Sequence, residues 1–288
     1  MARPARSTTR VPVIRLRDGR VRRTRDVLSL EEPLEMRVRP HGADAGVSIA
    51  VTMRTPGHDF ELVAGFLLTE GVLASRLDLA EMTYCRSGEG PQEYNIVEAR
   101  LRPGIEVDLE RLTRNVFTSS SCGVCGKASI EALEIEGCAP FPLEGTVRLD
   151  ADRLASLPER LREHQRDFER TGGLHAAALA DGSGTPDAVH EDVGRHNAVD
   201  KVLGAALLAG RLPAGDRVLV VSGRASFEII QKAVAAGVPA VVAVGAPSSL
   251  AVDTARRFNV TLAGFTRDGG FNLYTGEERV TLPLREDA

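Results

Sequence analysis

The spacing of apolar residues changes its rhythm along the chain. From Leu34 to Pro40 every second residue is apolar (Leu34, Met36, Val38), the period of a half-buried strand. A turn at His41-Gly42-Ala43-Asp44 leads to a second predicted strand, Val47–Arg54. Thr55-Pro56 then reads as a helix N-cap and first helical position. Leu62, Val63, Phe66 and Leu67 carry that helix to Gly71, a residue suited to ending it. Short strands are predicted near Met82–Arg86 and Tyr94–Leu101. Hairpin, helix and strands make a small α+β domain over residues 29–115.

The second region, residues 116–288, alternates differently. A helix is predicted over Lys127–Glu136, with Ile130, Leu133 and Ile135 apolar. Another is predicted over Pro158–Arg170, ending in Gly172-Gly173. Strands follow at Leu174–Ala180, Ala188–Val193, Arg217–Val221, Val238–Val244 and Val260–Phe265. Helices are predicted between them at Asn197–Ala209, Ser226–Ala236 and Ser248–Phe258. Arg217–Val221 is wholly apolar after its first residue, as a strand buried on both faces should be. Strands alternating with helices of this length predict a layered α/β domain with largely parallel pairing.

Composition narrows the function. With 288 residues and 43% hydrophobic side chains, the chain can build one large or two modest cores. A net charge of −4 argues against a nucleic-acid partner held by a dominant basic face. No run approaches the roughly 18 apolar residues of a membrane span, so no membrane partner is expected. Residues 1–25 hold nine arginines against one aspartate. Residues 1–28 are therefore expected to form an Arg-rich tail without stable structure, unable to bury enough surface to order itself. Arg22-Arg23 is followed by Thr-Arg-Asp and not by an apolar block, which argues against a twin-arginine leader. Four cysteines without a leader point to a reducing cytoplasm and free thiols.

The cysteines supply the first candidate chemistry. Cys122 and Cys125 sit in Ser119-Ser120-Ser121-Cys122-Gly123-Val124-Cys125-Gly126-Lys127, a small-residue loop that can bend to bring either sulfur to a partner. They immediately precede a predicted helix that starts at Lys127. A helix N-terminus and a cation both favour the thiolate, which is the nucleophilic form. Redox exchange, half of a zinc site and persulfide transfer are all compatible with such a pair. A four-cysteine zinc site needs a second pair, and Cys85 and Cys138 are isolated. Each of those two reads as a small hydrophobe.

Three strand-to-helix turns supply the second: Ser222-Gly223-Arg224-Ala225-Ser226, Gly245-Ala246-Pro247-Ser248-Ser249, and Phe265-Thr266-Arg267-Asp268-Gly269-Gly270. Helix N-termini with serine and arginine suit phosphate. Any one such turn is as well explained by N-capping. Three along one sheet edge, where α/β sheets bind ligands, point to an anionic, nucleotide-like ligand. Neither a dinucleotide-binding glycine fingerprint nor a Walker A loop is present. The run His190-Glu191-Asp192-Val193-Gly194-Arg195-His196-Asn197-Ala198-Val199-Asp200-Lys201, with His175 nearby, holds more polar groups than capping needs. Ligand contact and internal ion pairing explain it equally well.

In combination these motifs resemble the formate dehydrogenase accessory sulfurtransferase family (FdhD). The likeness rests on Thr55-Pro56 with Gly65-Phe66-Leu67, the Ser121–Gly126 loop, Thr171-Gly172-Gly173-Leu174-His175, Glu191–Asn197, Ser222-Gly223-Arg224 and Ala246-Pro247-Ser248-Ser249. The resemblance implies a carrier that accepts sulfur from a cysteine desulfurase as a cysteine persulfide. It would pass that sulfur to the molybdenum or tungsten of a bis(molybdopterin guanine dinucleotide) cofactor, bound as substrate and destined for formate dehydrogenase. It further implies a homodimer, no permanent metal, and a pocket for a GDP-like nucleotide moiety. The implied fold is a three-layer, cytidine-deaminase-like α/β main domain with the smaller N-terminal α+β domain. By position, Cys122 would bear the persulfide and Cys125 would assist it. Phe265, Thr266, Arg267, Asp268, Gly269 and Gly270 would match the cofactor-binding stretch, although the family often has a basic residue where Gly270 stands. The His-x-Glu and Pro-Cys-x-x-Cys signature of zinc deaminases is absent. Two other readings of the same residues are a thiol–disulfide oxidoreductase using Cys122 and Cys125, and a nucleotide-binding chaperone whose cysteines are incidental.

Overall fold

The computed structural model describes residues 6–86, 93–108 and 138–283. Cys122, Cys125 and the helix expected over Lys127–Glu136 lie outside the described residues. The chain begins with two ten-residue strands, β1 (Thr8–Arg17) and β2 (Arg20–Ser29), paired antiparallel. For residues 8–28 this corrects the expectation of an unstructured tail over residues 1–28, and residues 1–5 lie outside the described residues. The two-residue link Asp18-Gly19 has positive φ at both positions (49° and 70°). That geometry matches the twist of paired strands, and Asp-Gly is a preferred sequence for it. The density of arginines hides an alternation in which Val11 and Val13 are half-buried between exposed neighbours.

A four-stranded sheet follows: β3 (Glu32–Arg39), β4 (Val47–Arg54), β5 (Leu79–Tyr84) and β6 (Ile96–Leu101), in the order β4-β3-β6-β5. Helix α1 (Asp59–Thr69) crosses between β4 and β5. It starts three residues later than Thr55-Pro56 predicts, after the N-cap His58 in a left-handed conformation (φ 57°). Thr55 is committed to a distant partner instead, as described below.

Next come β7 (Leu149–Asp150), α2 (Ala151–Arg162) and α3 (Arg166–Thr171). The single helix expected from Pro158 is therefore two. Asp150 starts the first by accepting the Arg153 N–H at 2.8 Å, and Pro158 lies inside it. The remaining elements are β8 (His175–Ala180), β9 (Pro186–Asp192), α4 (Arg195–Leu208), β10 (Val218–Val221), α5 (Phe227–Ala235), β11 (Ala240–Ala243), α6 (Ser249–Arg257), β12 (Thr261–Arg267), β13 (Gly270–Thr275) and β14 (Val280–Thr281).

Six of these strands form the larger sheet, ordered β13-β12-β11-β10-β8-β9. Only β10–β11 and β11–β12 are parallel. Strands β8, β9 and β13 run antiparallel to their neighbours, so the sheet is mixed and not largely parallel. The reason is local. Short turns join β8 to β9 and β12 to β13, and only antiparallel strands can be linked that way.

Both faces of the sheet are covered. Leu219, Val221, Val241 and Ala243 join a core with Val199, Leu203, Ile230 and Ala255 of α4–α6. The alternate residues Val218, Val220, Ala240 and Val242 pack with Leu154, Leu157 and Leu161 of α2. The first core runs on through Leu62 and Leu67 of α1 to Leu34 and Met36 of β3. Two glycines allow α1 and α4 to meet backbone to backbone. A Cβ on Gly65 would run into the Asp200 carbonyl, and one on Gly204 into the Glu61 carbonyl.

Candidate functional site at the carboxyl edge of the larger sheet

Strands β10, β11 and β12 end along one edge, and the antiparallel β8 brings its first residue, His175, to the same edge. The three turns singled out in the sequence meet there. The Gly245 N–H donates to the Gly223 carbonyl (2.9 Å), Ser248 to Ala225 (3.0 Å) and Phe265 to Gly245 (3.1 Å). Ser222 bonds Ala176 twice, its N–H to the carbonyl and its Oγ from the N–H, each at 2.9 Å. The result is one continuous rim rather than three separate loops.

Ser248 does what a capping serine ordinarily does, accepting the Ala251 N–H at 3.2 Å. The caps of α4 and α5, Gly194 and Ser226, make no side-chain bond to their helices. Those two N-termini therefore keep N–H groups, and the positive end of the helix dipole, for another acceptor. Gly223 lies between two further groups. A Cβ there would stand 3.5 Å from His175 Nδ1 and 3.8 Å from Arg195 Cδ. Burial, then the charges of Arg195 and His196, hold the His175 pKa below its usual value, so the ring is neutral at neutral pH. Arg195 Nε is buried with no hydrogen-bond partner among the described residues. A buried donor left in this state is one that a ligand can satisfy.

The stretch Phe265 to Gly270 divides. Phe265 is exposed, with φ 51°, in an irregular part of β12 where the register to β13 shifts. An aromatic residue in that region carries strain of about 1–3 kcal/mol, a feature concentrated at ligand clamps. Arg267 faces Gly270 across the tight turn Asp268-Gly269, and all four are exposed. Thr266 points the other way. It is fully buried and its hydroxyl has no partner among the described residues.

The Glu191–Lys201 run resolves mainly into a lock. The Asp192 carboxylate is buried and accepts the Thr55 N–H (3.1 Å), the Gly194 N–H (2.9 Å) and Asn197 Nδ2 (3.0 Å). Lys201 pairs with it at 2.6 Å and also donates to the Thr55 carbonyl at 2.9 Å. Thr55 Oγ1 accepts the Val193 N–H at 3.1 Å. Glu191 receives the Asp167 and Phe168 N–H groups at the start of α3, although burial raises its pKa overall. His196 reaches Glu228 at 2.6 Å, which holds the Glu228 carboxyl below its ordinary range. Arg195 and His175 are left beside the rim, together with His196, whose Nε2 lies 3.4 Å from Ser226 Oγ.

Two buried polar groups have no local sequence signal. Arg54 forks onto Asp59 (2.9 and 3.1 Å), which also accepts the Tyr84 hydroxyl (3.1 Å). Lys232 of α5 joins Asp200 of α4 (2.8 Å) to Thr69 of α1 (2.9 Å). Each assembles residues from separate elements, which spacing cannot reveal. Cys85 is a half-buried free thiol, and Cys138 is half-buried as well. Among the described residues, no three His, Cys, Asp or Glu side chains are placed to hold a metal ion, and no helix is long and apolar enough to cross a membrane.

Residues 30–281 match the model of the FdhD/NarQ family. The chain is 52% identical over 281 residues to the sulfur carrier protein FdhD of Streptomyces avermitilis, covering 96% of this chain and 97% of that one. It is 49% identical to the protein of the same name from Mycobacterium tuberculosis, over 89% and 92% of the two chains. Among solved structures it resembles a candidate formate dehydrogenase accessory protein from Desulfotalea psychrophila, with a TM-score of 0.72 and 22% identity over 96% of this chain and all of the other. At that identity the likeness speaks for the fold alone.

Proposed function

The chain belongs to the FdhD/NarQ family, and from that premise we propose that it is a sulfur carrier that serves the maturation of formate dehydrogenase. The observation that carries this reading is the identity of about half over nearly the full length of relatives named sulfur carrier proteins.

The chemistry assigned to the chain begins at Cys122. Its thiolate attacks the outer sulfur of a persulfide on a cysteine desulfurase. A new S–S bond forms at Cys122, the donor's S–S bond breaks, and the donor leaves as its thiolate. Delivery of that outer sulfur to the metal of a bis(molybdopterin guanine dinucleotide) cofactor, bound as substrate, would return Cys122 to its thiolate, the reduced metal centre giving up the two electrons that turn sulfane sulfur into a sulfido ligand. Cys125 protects or helps release the persulfide. The sequence context supports this assignment, since Lys127 and a predicted helix N-terminus both favour thiolate.

The cofactor is a large polyanion, and the rim at the carboxyl edge suits it. Exposed Arg224 and Arg267, the uncapped ends of α4 and α5, and Arg195 supply donors to phosphate. Exposed Phe265 offers a ring face to a base. The main domain is read as deaminase-like, supported by the sheet order, its antiparallel first strand β8, and helices on both faces. A homodimer in the cytoplasm completes the reading.

Titration calorimetry with GDP and ADP tests the binding half. GDP is expected to bind more tightly than ADP. Arg224→Ala and Arg267→Ala should each weaken GDP by about 1.5–3 kcal/mol, the range for a lost charge-assisted hydrogen bond. No GDP binding, or no preference over ADP, would count against the pocket.

A further inference from the structure

The β1–β2 hairpin precedes the residues matched by the family model. Its base lies against the body. Val11, Val13 and Val27 are half-buried, and Ser29 Oγ would lie 3.1 Å from a Cβ on Gly173. Beyond that base, residues 14–17 and 20–23 are all exposed.

The register divides the free part into two faces. Ile14 lies opposite Arg23, Leu16 opposite Val21, and Pro12 opposite Arg25. Arg15, Arg17, Arg20 and Arg22 occupy the other face, because successive side chains alternate. Ile14, Leu16 and Val21 are 69%, 67% and 67% exposed, an uncovered aliphatic strip next to Arg23 and Arg25. The hairpin holds seven arginines and two aspartates on a chain whose net charge is −4. Among the described residues only Arg15 of the seven is ion-paired, to Asp26 at 3.4 Å.

We propose that the Ile14–Leu16–Val21 face is a docking surface for another protein, one that presents acidic side chains around an apolar patch. An apolar centre with arginine around it is the composition of an interface core and rim. The hairpin's positive charge calls for an acidic partner. A bilayer fits poorly, because the end of the ribbon is the charged turn Arg17-Asp18-Gly19-Arg20 and entry would bury those charges first. Nucleic acid fits poorly as well, since phosphates have no use for the aliphatic strip. This inference is independent of the sulfur chemistry.

The test uses the full chain and a defined probe, a seven-residue peptide alternating Glu with Leu and Val, read by fluorescence anisotropy. Its Gln-for-Glu analogue, phosphatidylserine vesicles and a 20-base-pair DNA duplex serve as comparisons. The acidic peptide is expected to bind at least tenfold more tightly than the Gln analogue, and less tightly as salt is raised. Two variants, Ile14→Ser/Leu16→Ser/Val21→Ser and Arg23→Glu/Arg25→Glu, should each lose at least tenfold. These side chains are exposed, so neither variant should disturb the fold. Peptide binding equal in wild type and variants would overturn the proposal. So would vesicles or duplex binding more tightly than the peptide through the same residues. Sedimentation in which either variant dissociates a dimer would assign the face to a second copy of the chain and likewise overturn it.

Discussion

Lys201 is almost fully buried and neutralises Asp192, which in turn holds Thr55, Gly194 and Asn197. Lys201→Met should therefore cost about 3–5 kcal/mol, the penalty for leaving one member of a buried pair alone. Urea unfolding measures it, and a loss below about 1 kcal/mol would mean that the lock is dispensable. His190 makes a second residue-level prediction. Burial, then the neighbouring His58, push its pKa down to about 4, with the two rings 4.3 Å apart. An unfolded histidine takes its proton near 6.5, so between about pH 6.5 and 4 the unfolded chain binds more protons than the folded one. The neutral ring's contribution is complete above that window and is lost as pH falls through it. His190→Gln should flatten the fall in unfolding free energy over that range relative to wild type. Parallel curves for the two proteins would contradict the assignment. The polar run from His190 to Lys201 was visible in the sequence, but its purpose was not. The partners that make it a lock, Met53 and Thr55, are more than 130 residues away.

At the scale of elements, the contact between α1 and α4 rests on Gly65 and Gly204. A Cβ on Gly204 meets the Glu61 carbonyl, a backbone atom that cannot step aside. Gly204→Ala should destabilise by about 3 kcal/mol, the upper end for overpacking, and a melting temperature equal to wild type would refute the close approach. Elements with strong apolar runs were legible. The strand Val47–Arg54 falls where the alternation puts it, and β10 differs from its expected range by one residue. Errors arose where tertiary context overrode a local signal. Thr55-Pro56 looks like a helix start, yet Thr55 is drawn to Asp192 and the helix waits for Asp59. Pro158 looks like a first turn, yet Asp150 caps the helix eight residues earlier. The hairpin β1–β2 was missed because arginines obscure its pattern, although Asp18-Gly19 announced the turn.

For the molecule as a whole, the three anion-suited turns that the sequence assigns to one sheet are joined by backbone hydrogen bonds into one rim. Strand order does this, because parallel β10, β11 and β12 end on one side and antiparallel β8 starts there. What the sequence could not supply is which groups face that rim. Thr266 is turned inward, and Arg195 carries a donor without a partner among the described residues. The central claim concerns sulfur, and it is tested most directly by intact-mass spectrometry after incubation with a cysteine desulfurase and cysteine. The wild-type chain is expected to gain the mass of one sulfur atom, reversed by a thiol reductant. Cys125→Ala should still gain it, and Cys122→Ala should not. Loss of two hydrogens with no gain of sulfur, or equal gain in Cys122→Ala, would contradict the account.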